Sequence, residues 1–326
     1  MASGWGEGST LSGMVPNLKA LAARLPAAPR TRFAPAPTGY LHLGHVVSAI
    51  HVWGIARALG ASVVLRVEDH DRGRCRPGYE AALREDLAWL GFVPDLGVPL
   101  EGPPAPSAFR QGDCSPRYEA ALAWLRARGL VYACRCSRRD IARQGPDVAN
   151  EESRYAGTCR DLGLPEAPGL GLRVRMAPGE ERFDDARLGP QVQEPSAQCG
   201  DLLVRDRLGQ WTYQFAVAVD DLAHGIDLVI RGEDLLGSTG RQLRLARLLG
   251  RTVPPVFLHH PLVRHPGGAK LSKANRDTGV RELRAAGMLA VEVIGEAAYR
   301  AGLQPDPRPL AADDLPDLFT TLQPAR

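Results

Sequence analysis

Two histidines lie at the start of a predicted helix, directly after a loop rich in proline. The motif is His42-Leu43-Gly44-His45, and the loop is Ala34-Pro35-Ala36-Pro37-Thr38-Gly39. Backbone N–H groups and the positive end of the helix dipole attract anions at such a position. Gly44 would let a nucleotide base approach the main chain, and the two imidazoles, three positions apart, face the same side. The group could therefore hold ATP phosphates and stabilise the charge on the α-phosphate; the alternative is a pair of surface histidines.

Two lysines further along the chain could form a second phosphate-binding element. The segment Lys270-Leu271-Ser272-Lys273 follows Gly267-Gly268, which predicts a loop. Two positive charges on either side of a small hydroxyl group can clamp phosphates. Neither motif is specific alone, but the order and the separation of about two hundred residues make the pair specific.

Three of the six cysteines are close in sequence and separated by polar residues, which indicates a metal site. They are Cys134, Cys136 and Cys159. Zinc sites in proteins normally have four ligands, and no histidine lies between residues 134 and 199, so the fourth ligand must be another group, such as Asp161 or water. The alternative is three buried free thiols. We interpret the other cysteines as unrelated thiols: Cys75, Cys114 and Cys199.

The order of the predicted elements indicates an α/β fold with a parallel sheet, since strand-like and helix-like segments alternate from residue 30 onward. Helices are predicted at 42–59, 78–90, 116–128, 238–249 and about 281–301. Strands are predicted at 62–67, 202–204, 228–230 and 256–258. Glu68 follows the first of these strands, at its carboxyl end.

The segment 134–200 interrupts this alternation with weak apolar periodicity and frequent glycine and proline, which suggests an insertion with little core of its own. We therefore expect a disordered extension, a catalytic domain in two halves, an insertion between them, and a lysine-bearing loop followed by helices. The corresponding ranges are 1–29, 30–133 and 201–260, 134–200, and 261–326.

Charge and composition restrict the class of protein without identifying it. The formal net charge is +3, and 44% of the 326 residues are hydrophobic, which is ordinary for a soluble globular protein. Arginine outnumbers lysine and suits phosphate and stacked bases, so the composition permits RNA binding without requiring it. No apolar run approaches the roughly 18 residues of a membrane span. We expect a cytoplasmic monomer that binds no membrane.

The histidine and lysine motifs together resemble the HIGH and KMSKS signatures of the class I aminoacyl-tRNA synthetases. Further blocks resemble the glutamate-specific branch of that family, and the matching text covers most of the chain, from about residue 30 to 275. These blocks are Arg-Phe-Ala-Pro-Ala-Pro-Thr-Gly at 32–39, Arg-Val-Glu-Asp-His-Asp-Arg at 66–72, Tyr-Gln-Phe-Ala-Val-Ala-Val-Asp-Asp at 213–221 and Ile-Arg-Gly-Glu-Asp at 230–234.

Within this branch the chain is most similar to the glutamyl-Q tRNA(Asp) synthetases, which activate glutamate without tRNA and attach it to queuosine in the anticodon of tRNA(Asp). The shared features are Lys-Leu-Ser-Lys-x-Asn at 270–275, a Cys-x-Cys…Tyr-x3-Cys pattern and an end soon after the lysine motif. The resemblance implies a Rossmann-type parallel sheet split by a zinc-bearing insertion. It also implies a short helical C-terminal region and no anticodon-binding domain.

The resemblance assigns four side chains to glutamate. Arg32 and Arg231 are similar to the family's substrate-binding arginines, whose planar donors suit a carboxylate. Glu68 would hold the α-ammonium group, and Tyr213 would add a hydroxyl contact. The plain alternatives are ion-pair partners for the arginines, a capping or network residue for Glu68, and a core residue for Tyr213. The other implied glutamate contacts are Phe33, Ala34, Pro35 and Ala36.

The same resemblance assigns residues to ATP and to a metal. ATP would contact His42, Gly44, His45 and Lys273. The charge on the transferring phosphoryl group would be stabilised by Mg²⁺ and by four side chains, His42, His45, Lys270 and Lys273. One structural Zn²⁺ would be held by Cys134, Cys136, Tyr155 and Cys159. Tyrosine is an unusual zinc ligand because its hydroxyl group must lose a proton.

One residue departs from the pattern, since the family usually has serine where this chain has Ala36. The lost hydroxyl removes one possible hydrogen bond, which typically contributes about 1 kcal/mol. Three other functions remain open: a minimal glutamyl-tRNA synthetase that charges the 3′ end of tRNA(Glu), a small-molecule adenylyltransferase, and a non-catalytic relative that binds tRNA or another partner.

Overall fold

The strands form three groups within the part of the chain that the computed structural model describes, residues 15–71, 73–103, 105–143, 154–263 and 279–322. The first group is parallel and has the order β1 (Arg30–Phe33), β2 (Ser62–Leu65), β3 (Leu96–Gly97). The second has the order β7 (Gly189–Gln193), β6 (Glu181–Asp185), β10 (Val256–His260), β9 (Leu228–Gly232). The third is antiparallel, with the order β4 (Val131–Cys134), β5 (Gly171–Val174), β8 (Leu202–Arg205).

The first two groups meet where β1 lies beside β9. The Asp227 backbone N–H donates to the Arg30 carbonyl (2.9 Å), and Arg32 Nη1 donates to the Ile230 carbonyl (3.2 Å). β9, β10 and β6 run parallel to one another, and only β7 is antiparallel to its neighbour. The predicted parallel sheet is therefore confirmed, and its strands come from two separated parts of the sequence.

The helices follow the strands in the expected alternation. The helix predicted at 42–59 is Leu43–Ala58, the one at 78–90 is Pro77–Leu90, and the one at 116–128 is Ser115–Arg126. In chain order the α-helices are α1 (Leu18–Ala22), α2 (Leu43–Ala58), α3 (Pro77–Leu90), α4 (Ser115–Arg126), α5 (Arg138–Ala142), α6 (Pro195–Gln198), α7 (Tyr213–Ala223), α8 (Thr239–Leu248), α9 (Val280–Ala285), α10 (Ala290–Arg300) and α11 (Leu315–Thr321). None of the helices in the described residues is long and apolar enough to cross a membrane.

The segment 134–200 is more ordered than its weak periodicity suggests. The strand predicted at 202–204 forms, but as β8 it pairs antiparallel with β5 rather than joining the parallel sheet. This small sheet has its own apolar core, which includes Tyr118, Val174, Val204 and Phe215. Among the 16 buried residues of this core, seven come from α4 and α7, and the segment 134–200 contributes Leu172, Val174 and Met176, so the segment has little core of its own, as its sequence suggests.

The hairpin of β6 and β7 also lies within 134–200, yet it extends the parallel sheet through β10. Its sequence is largely polar, as is usual for strands near a sheet edge, and periodicity did not reveal it.

The two ends of the chain differ from their expected description. Residues 15–29 are not a disordered extension, since α1 buries Leu18 and Leu21 against the main core and Asn17 caps it. Residues 1–14 lie outside the described residues. The single helix predicted at about 281–301 is two helices, α9 and α10, because Gly287 between them adopts a φ of +89°.

The C-terminal helix packs directly on α2, which carries the histidine motif at its N-terminus. Phe319 and Leu315 of α11 are fully buried, and the Phe319 ring lies against Gly54 of α2. A Cβ atom at Gly54 would come within 2.4 Å of that ring. The absence of a side chain at Gly54 thus sets how closely α11 approaches α2.

We predict that Gly54→Ala lowers the free energy of unfolding by about 1–3 kcal/mol, because the added methyl group must displace the Phe319 ring. Urea denaturation measures the change. Gly78→Ala is the matched control, since it also lies in a helix and its added Cβ has nothing within 4 Å; it should be neutral or stabilise by up to about 1 kcal/mol. Equal stability of Gly54→Ala and the wild type would contradict this packing.

Candidate functional site

The histidine motif forms the N-terminal cap of α2. His42 is the N-cap residue, and its Nδ1 accepts the backbone N–H of Gly44 at 3.1 Å. His45 Nδ1 accepts the backbone N–H of His42 at 3.2 Å, and the two rings lie with their centroids 4.0 Å apart. Both rings use Nδ1 as an acceptor, so in the neutral form the proton is on Nε2. Each ring can therefore offer an N–H donor to an anion.

Glycine at position 44 is required by the local structure of the helix cap. A Cβ atom at this position would lie 2.9–3.0 Å from the His42 ring, so any side chain would disturb the cap. Gly44 also lines an open cleft of about 550 Å³. Other residues around that cleft are Ala34, Pro35, Ala36, His42, His45, Gly232 and His260. The predicted ATP-binding residues of the first motif thus share one cavity.

Lys270 and Lys273 lie outside the described residues. The described residues that flank their segment lie at the cleft or beside its histidines. Val263 lines it on one side, and Gly279 on the other side forms a β-bridge with His42. The adjacent Val280 backbone N–H donates to the Leu41 carbonyl at 2.9 Å. The described residues on either side of positions 264–278, Val263 and Gly279, therefore lie near the histidine motif, although they are far from it in sequence.

The four side chains assigned to glutamate come together at the carboxyl ends of the parallel strands, where ligands bind in open α/β sheets. Arg32 lies in β1, Glu68 follows β2, Tyr213 begins α7, and Arg231 lies in β9. Tyr213 lies within electrostatic reach of the other three: burial raises its pKa, the Glu68 carboxylate raises it further, and Arg231 and Arg32 lower it. The convergence agrees with their assignment to one ligand.

Two further charged residues connect this group and were not assigned from the sequence. Arg66 is fully buried and donates to Asp221 Oδ1 at 2.6 Å and to Glu68 Oε1 at 2.9 Å. Asp221 also pairs with Arg32 at 3.4 Å. Burial alone would raise the pKa of Asp221, but Arg66 and Arg32 outweigh it and hold it at about 2. Asp221 is therefore ionised and anchors both arginines.

Arg231 differs from the other two arginines because its hydrogen-bond partners are neutral. Nε donates to His259 Nε2 at 3.0 Å, Nη1 to Gln242 Oε1 at 2.7 Å and Nη2 to Thr239 Oγ1 at 2.8 Å. Arg231 is only 4% exposed, and burial lowers its pKa. Within the described part of the chain it has no ion-pair partner, so an anionic ligand would supply the missing negative charge.

The residues between Arg32 and α2 are divided between the core and the cleft. The Phe33 side chain is buried in the core with its ring 5.3 Å from that of Trp53, so the predicted contact of this residue with glutamate would have to be made by its main chain. The reason is strand alternation, which points Arg32 and Phe33 to opposite faces of the sheet. Ala34, Pro35 and Ala36 do line the cleft.

The three clustered cysteines meet in space, and they could hold a metal ion. The sulfur atoms of Cys134, Cys136 and Cys159 all lie within 4.8 Å of one another. Cys136 and Cys159 are 3.6 Å apart, close to the roughly 3.8 Å between two sulfurs at tetrahedral zinc. Arg173 donates from Nε to Cys134 Sγ at 3.3 Å.

Tyr155 is better placed than Asp161 to complete this cluster. The Tyr155 hydroxyl oxygen lies 3.5 Å from Cys134 Sγ and accepts the Cys159 backbone N–H at 2.7 Å. The Asp161 side chain is 82% exposed and pairs with Arg175 at 3.0 Å. The geometry therefore fits the set of three thiols and a phenol oxygen that the resemblance implies.

The residues that sequence reasoning missed are Arg66, Asp185, Asp221 and His259. Arg66 and Asp221 belong to matched blocks, and the charge of Arg66 at the end of an apolar strand was a usable signal. Asp185 and His259 carried no such signal, because they become neighbours only when β6 pairs with β10.

Comparison with known proteins agrees with this geometry. Residues 29–308 match the family described as tRNA synthetases class I (E and Q), catalytic domain. The glutamyl-Q tRNA(Asp) synthetase of Nitratidesulfovibrio vulgaris is 38% identical over 90% of this chain and 92% of its own length. The enzyme of that name from Symbiobacterium thermophilum is 41% identical, over 88% of this chain and 91% of its length.

Solved structures show the same fold. Glutamate-tRNA synthetase from Elizabethkingia anophelis superposes with a TM-score of 0.71 at 28% identity, over 90% of this chain and 66% of that one. A glutamate tRNA ligase from Elizabethkingia meningosepticum, in complex with its amino acid, gives the same TM-score over 89% of this chain and 65% of that one. The chain thus spans about two thirds of either solved chain. It belongs to the class I synthetases of the E and Q branch, a family of ligases, and within that branch to the glutamyl-Q tRNA(Asp) synthetases.

Proposed function

We propose that this protein activates L-glutamate with ATP, without tRNA, and transfers the glutamate to queuosine in the anticodon of tRNA(Asp). The observation that carries the proposal is the buried charged group beside the cleft of the histidine motif. Its three arginines (Arg32, Arg66 and Arg231) and two carboxylates (Glu68 and Asp221) give 3 − 2 = +1. Glutamate, with two carboxylates and one ammonium group, carries the complementary charge of −1.

The distribution of partners supports the orientation of the substrate. Arg66 is neutralised by Glu68 and Asp221, so the unbalanced positive charge is on Arg231 and Arg32. A glutamate carboxylate would bind to these two residues, and planar guanidinium donors suit it. The α-ammonium group would bind to Glu68, and the Tyr213 hydroxyl group would add a hydrogen bond.

The first step would join glutamate to ATP. An oxygen of the glutamate α-carboxylate attacks the α-phosphorus, the bond to the β-phosphate oxygen breaks, and pyrophosphate leaves. His42 and His45 would donate their Nε2–H groups to the charge that develops on the α-phosphate. Lys270 and Lys273 would neutralise the leaving group together with Mg²⁺, which accompanies ATP. Positioning and charge stabilisation suffice for such a transfer.

The second step would release AMP. A hydroxyl group of the cyclopentene ring of queuosine attacks the adenylate carbonyl, forms an ester and gives up its proton as the bond to AMP breaks. The names of the curated relatives support queuosine as the acceptor. Both substrates of this step belong to the cytoplasm, which is the location we propose.

We also propose one structural Zn²⁺ on Cys134, Cys136, Cys159 and Tyr155. The close approach of three sulfur atoms and a phenol oxygen supports it. Zinc would fix the loop around Tyr155 and Cys159 to the end of β4, and it would take no part in the reaction.

The test of the proposed function is incorporation of radiolabelled glutamate into purified tRNA. Three acceptors are compared: tRNA(Asp) with queuosine, the same tRNA without queuosine, and tRNA(Glu). We expect label only in the tRNA(Asp) with queuosine. Label on tRNA(Glu) would instead establish a minimal glutamyl-tRNA synthetase. A protein that labels none of the three tRNAs and shows no glutamate-dependent exchange of pyrophosphate into ATP would be a non-catalytic relative.

Removal of the metal gives a second prediction. Cys159→Ser should reduce bound zinc from one equivalent to a small fraction, as measured by plasma mass spectrometry, and lower the Tm, since a bound metal stabilises the folded state. Cys75→Ser is the control. Cys75 lies outside the cluster, so the protein with this substitution should keep its bound zinc. A wild-type protein that contains no zinc after purification without chelators would contradict the metal site.

A further inference from the structure

Asp185 lies at the end of β6, beside β10, and its carboxylate is held in a fixed orientation. Oδ1 accepts the backbone N–H groups of Arg187 and Leu188 at 3.1 and 2.9 Å. Oδ2 accepts the backbone N–H of His259 at 3.2 Å. Asp185 is 2% exposed, and Phe257 of β10 is its register partner. The hairpin of β6 and β7 thus delivers a rigid carboxylate to the next strand.

His259 connects that carboxylate to Arg231. Its Nδ1 lies 2.6 Å from Asp185 Oδ2, and its Nε2 accepts the Nε–H of Arg231 at 3.0 Å. The imidazole is fully buried. A carboxylate can only accept and a guanidinium can only donate, so the neutral ring must carry its proton on Nδ1. Burial lowers the pKa of His259, and the positive charge of Arg231 adds to this effect.

The orientation of Arg231 depends on this acceptor. A guanidinium has five N–H donors, and three of them bind His259, Gln242 and Thr239. The Thr239 hydroxyl oxygen also lies 3.3 Å from His259 Nε2, so these two acceptors form one surface along the guanidinium. Two N–H groups, one on each terminal nitrogen, are left for a ligand.

We propose that Asp185 and His259 are positioning residues, and that they orient the Arg231 guanidinium for the glutamate carboxylate. Asp185 fixes the ring tautomer, His259 presents an unprotonated nitrogen, and Arg231 is held with its two remaining donors toward the substrate. The neutral acceptor matters as much as the geometry. A carboxylate in direct contact with Arg231 would neutralise it and compete with glutamate, whereas an imidazole orients the charge without cancelling it. The inference rests on the proposed binding of glutamate by Arg231.

Three variants separate this role from a merely structural one. Asp185→Asn places an amide donor opposite Nδ1, so the ring must move its proton to Nε2, where it faces the Arg231 donor. His259→Asn removes the acceptor at the Nε2 position, and His259→Gln keeps one there. The measured reaction is exchange of pyrophosphate into ATP. We expect the first two variants to raise the KM for glutamate roughly 10- to 100-fold, with the KM for ATP changed less than about threefold. His259→Gln should restore most of the loss.

His224→Gln is the matched control. His224 is also a buried histidine and contacts Arg117 at 3.1 Å, but it does not contact Arg231. Its substitution should leave the KM for glutamate unchanged. Equal increases in the KM values for glutamate and ATP, or equal losses in His259→Asn and His259→Gln, would overturn the positioning role.

The tautomer of His259 gives a readout that does not depend on activity. ¹⁵N NMR of the imidazole should show the proton on Nδ1 in the wild type and on Nε2 in Asp185→Asn. A proton on Nε2 in the wild type, or the same tautomer in both proteins, would overturn the inference. A wild-type protein without glutamate-dependent exchange would overturn the proposed function instead, and the NMR result would still decide the Asp185–His259 interaction.

Discussion

Asp221 in α7 holds two buried arginines that come from adjacent parallel strands far away in the sequence. Its Oδ1 lies 2.6 Å from Arg66 and 3.4 Å from Arg32. Removing one partner of a buried ion pair costs about 3–5 kcal/mol, because the remaining charge is left without compensation. These ion pairs therefore tie α7 to β1 and to the end of β2 by charge. α7 cannot move away from these strands without leaving buried charges uncompensated.

This constraint explains how the site can be ready for an anion before any ligand binds. Arg66 distributes its charge between Asp221 and Glu68. Arg231 approaches from β9 with neutral partners only. The β-bridge between His42 and Gly279 brings Gly279, which follows the lysine segment in the sequence, to the neighbouring cleft. The buried charged group and the cleft of the histidine motif are thus neighbours at the ends of the parallel strands.

Sequence patterns predicted the parts of this arrangement that depend on local periodicity or on matched motifs. The helix of the histidine motif, the parallel strands and the convergence of Arg32, Glu68 and Arg231 are of this kind. The β6–β7 hairpin was not predictable in the same way, since its polar strands carry no apolar alternation and its partner β10 lies about 70 residues downstream. The contact between Asp185 and His259 was not predictable either, because it forms only when β6 pairs with β10. Phe33 is a different case, since the matched block assigns the residue to glutamate but does not indicate that strand alternation turns its side chain into the core.

The most direct test compares two neighbouring buried aspartates by calorimetric titration of glutamate without ATP or tRNA. Asp221→Asn should weaken glutamate binding at least tenfold or so, because it releases Arg32 and unbalances Arg66. Asp220→Asn removes an ion pair with Arg117, at 2.6 Å, and in the described residues Asp220 makes no hydrogen bond to Arg32 or Arg66. Asp220→Asn should change the glutamate Kd less than about threefold. Circular dichroism checks that both variants are folded. Equal weakening by the two substitutions, or unchanged binding in Asp221→Asn, would contradict the claim that Asp221 organises the glutamate site.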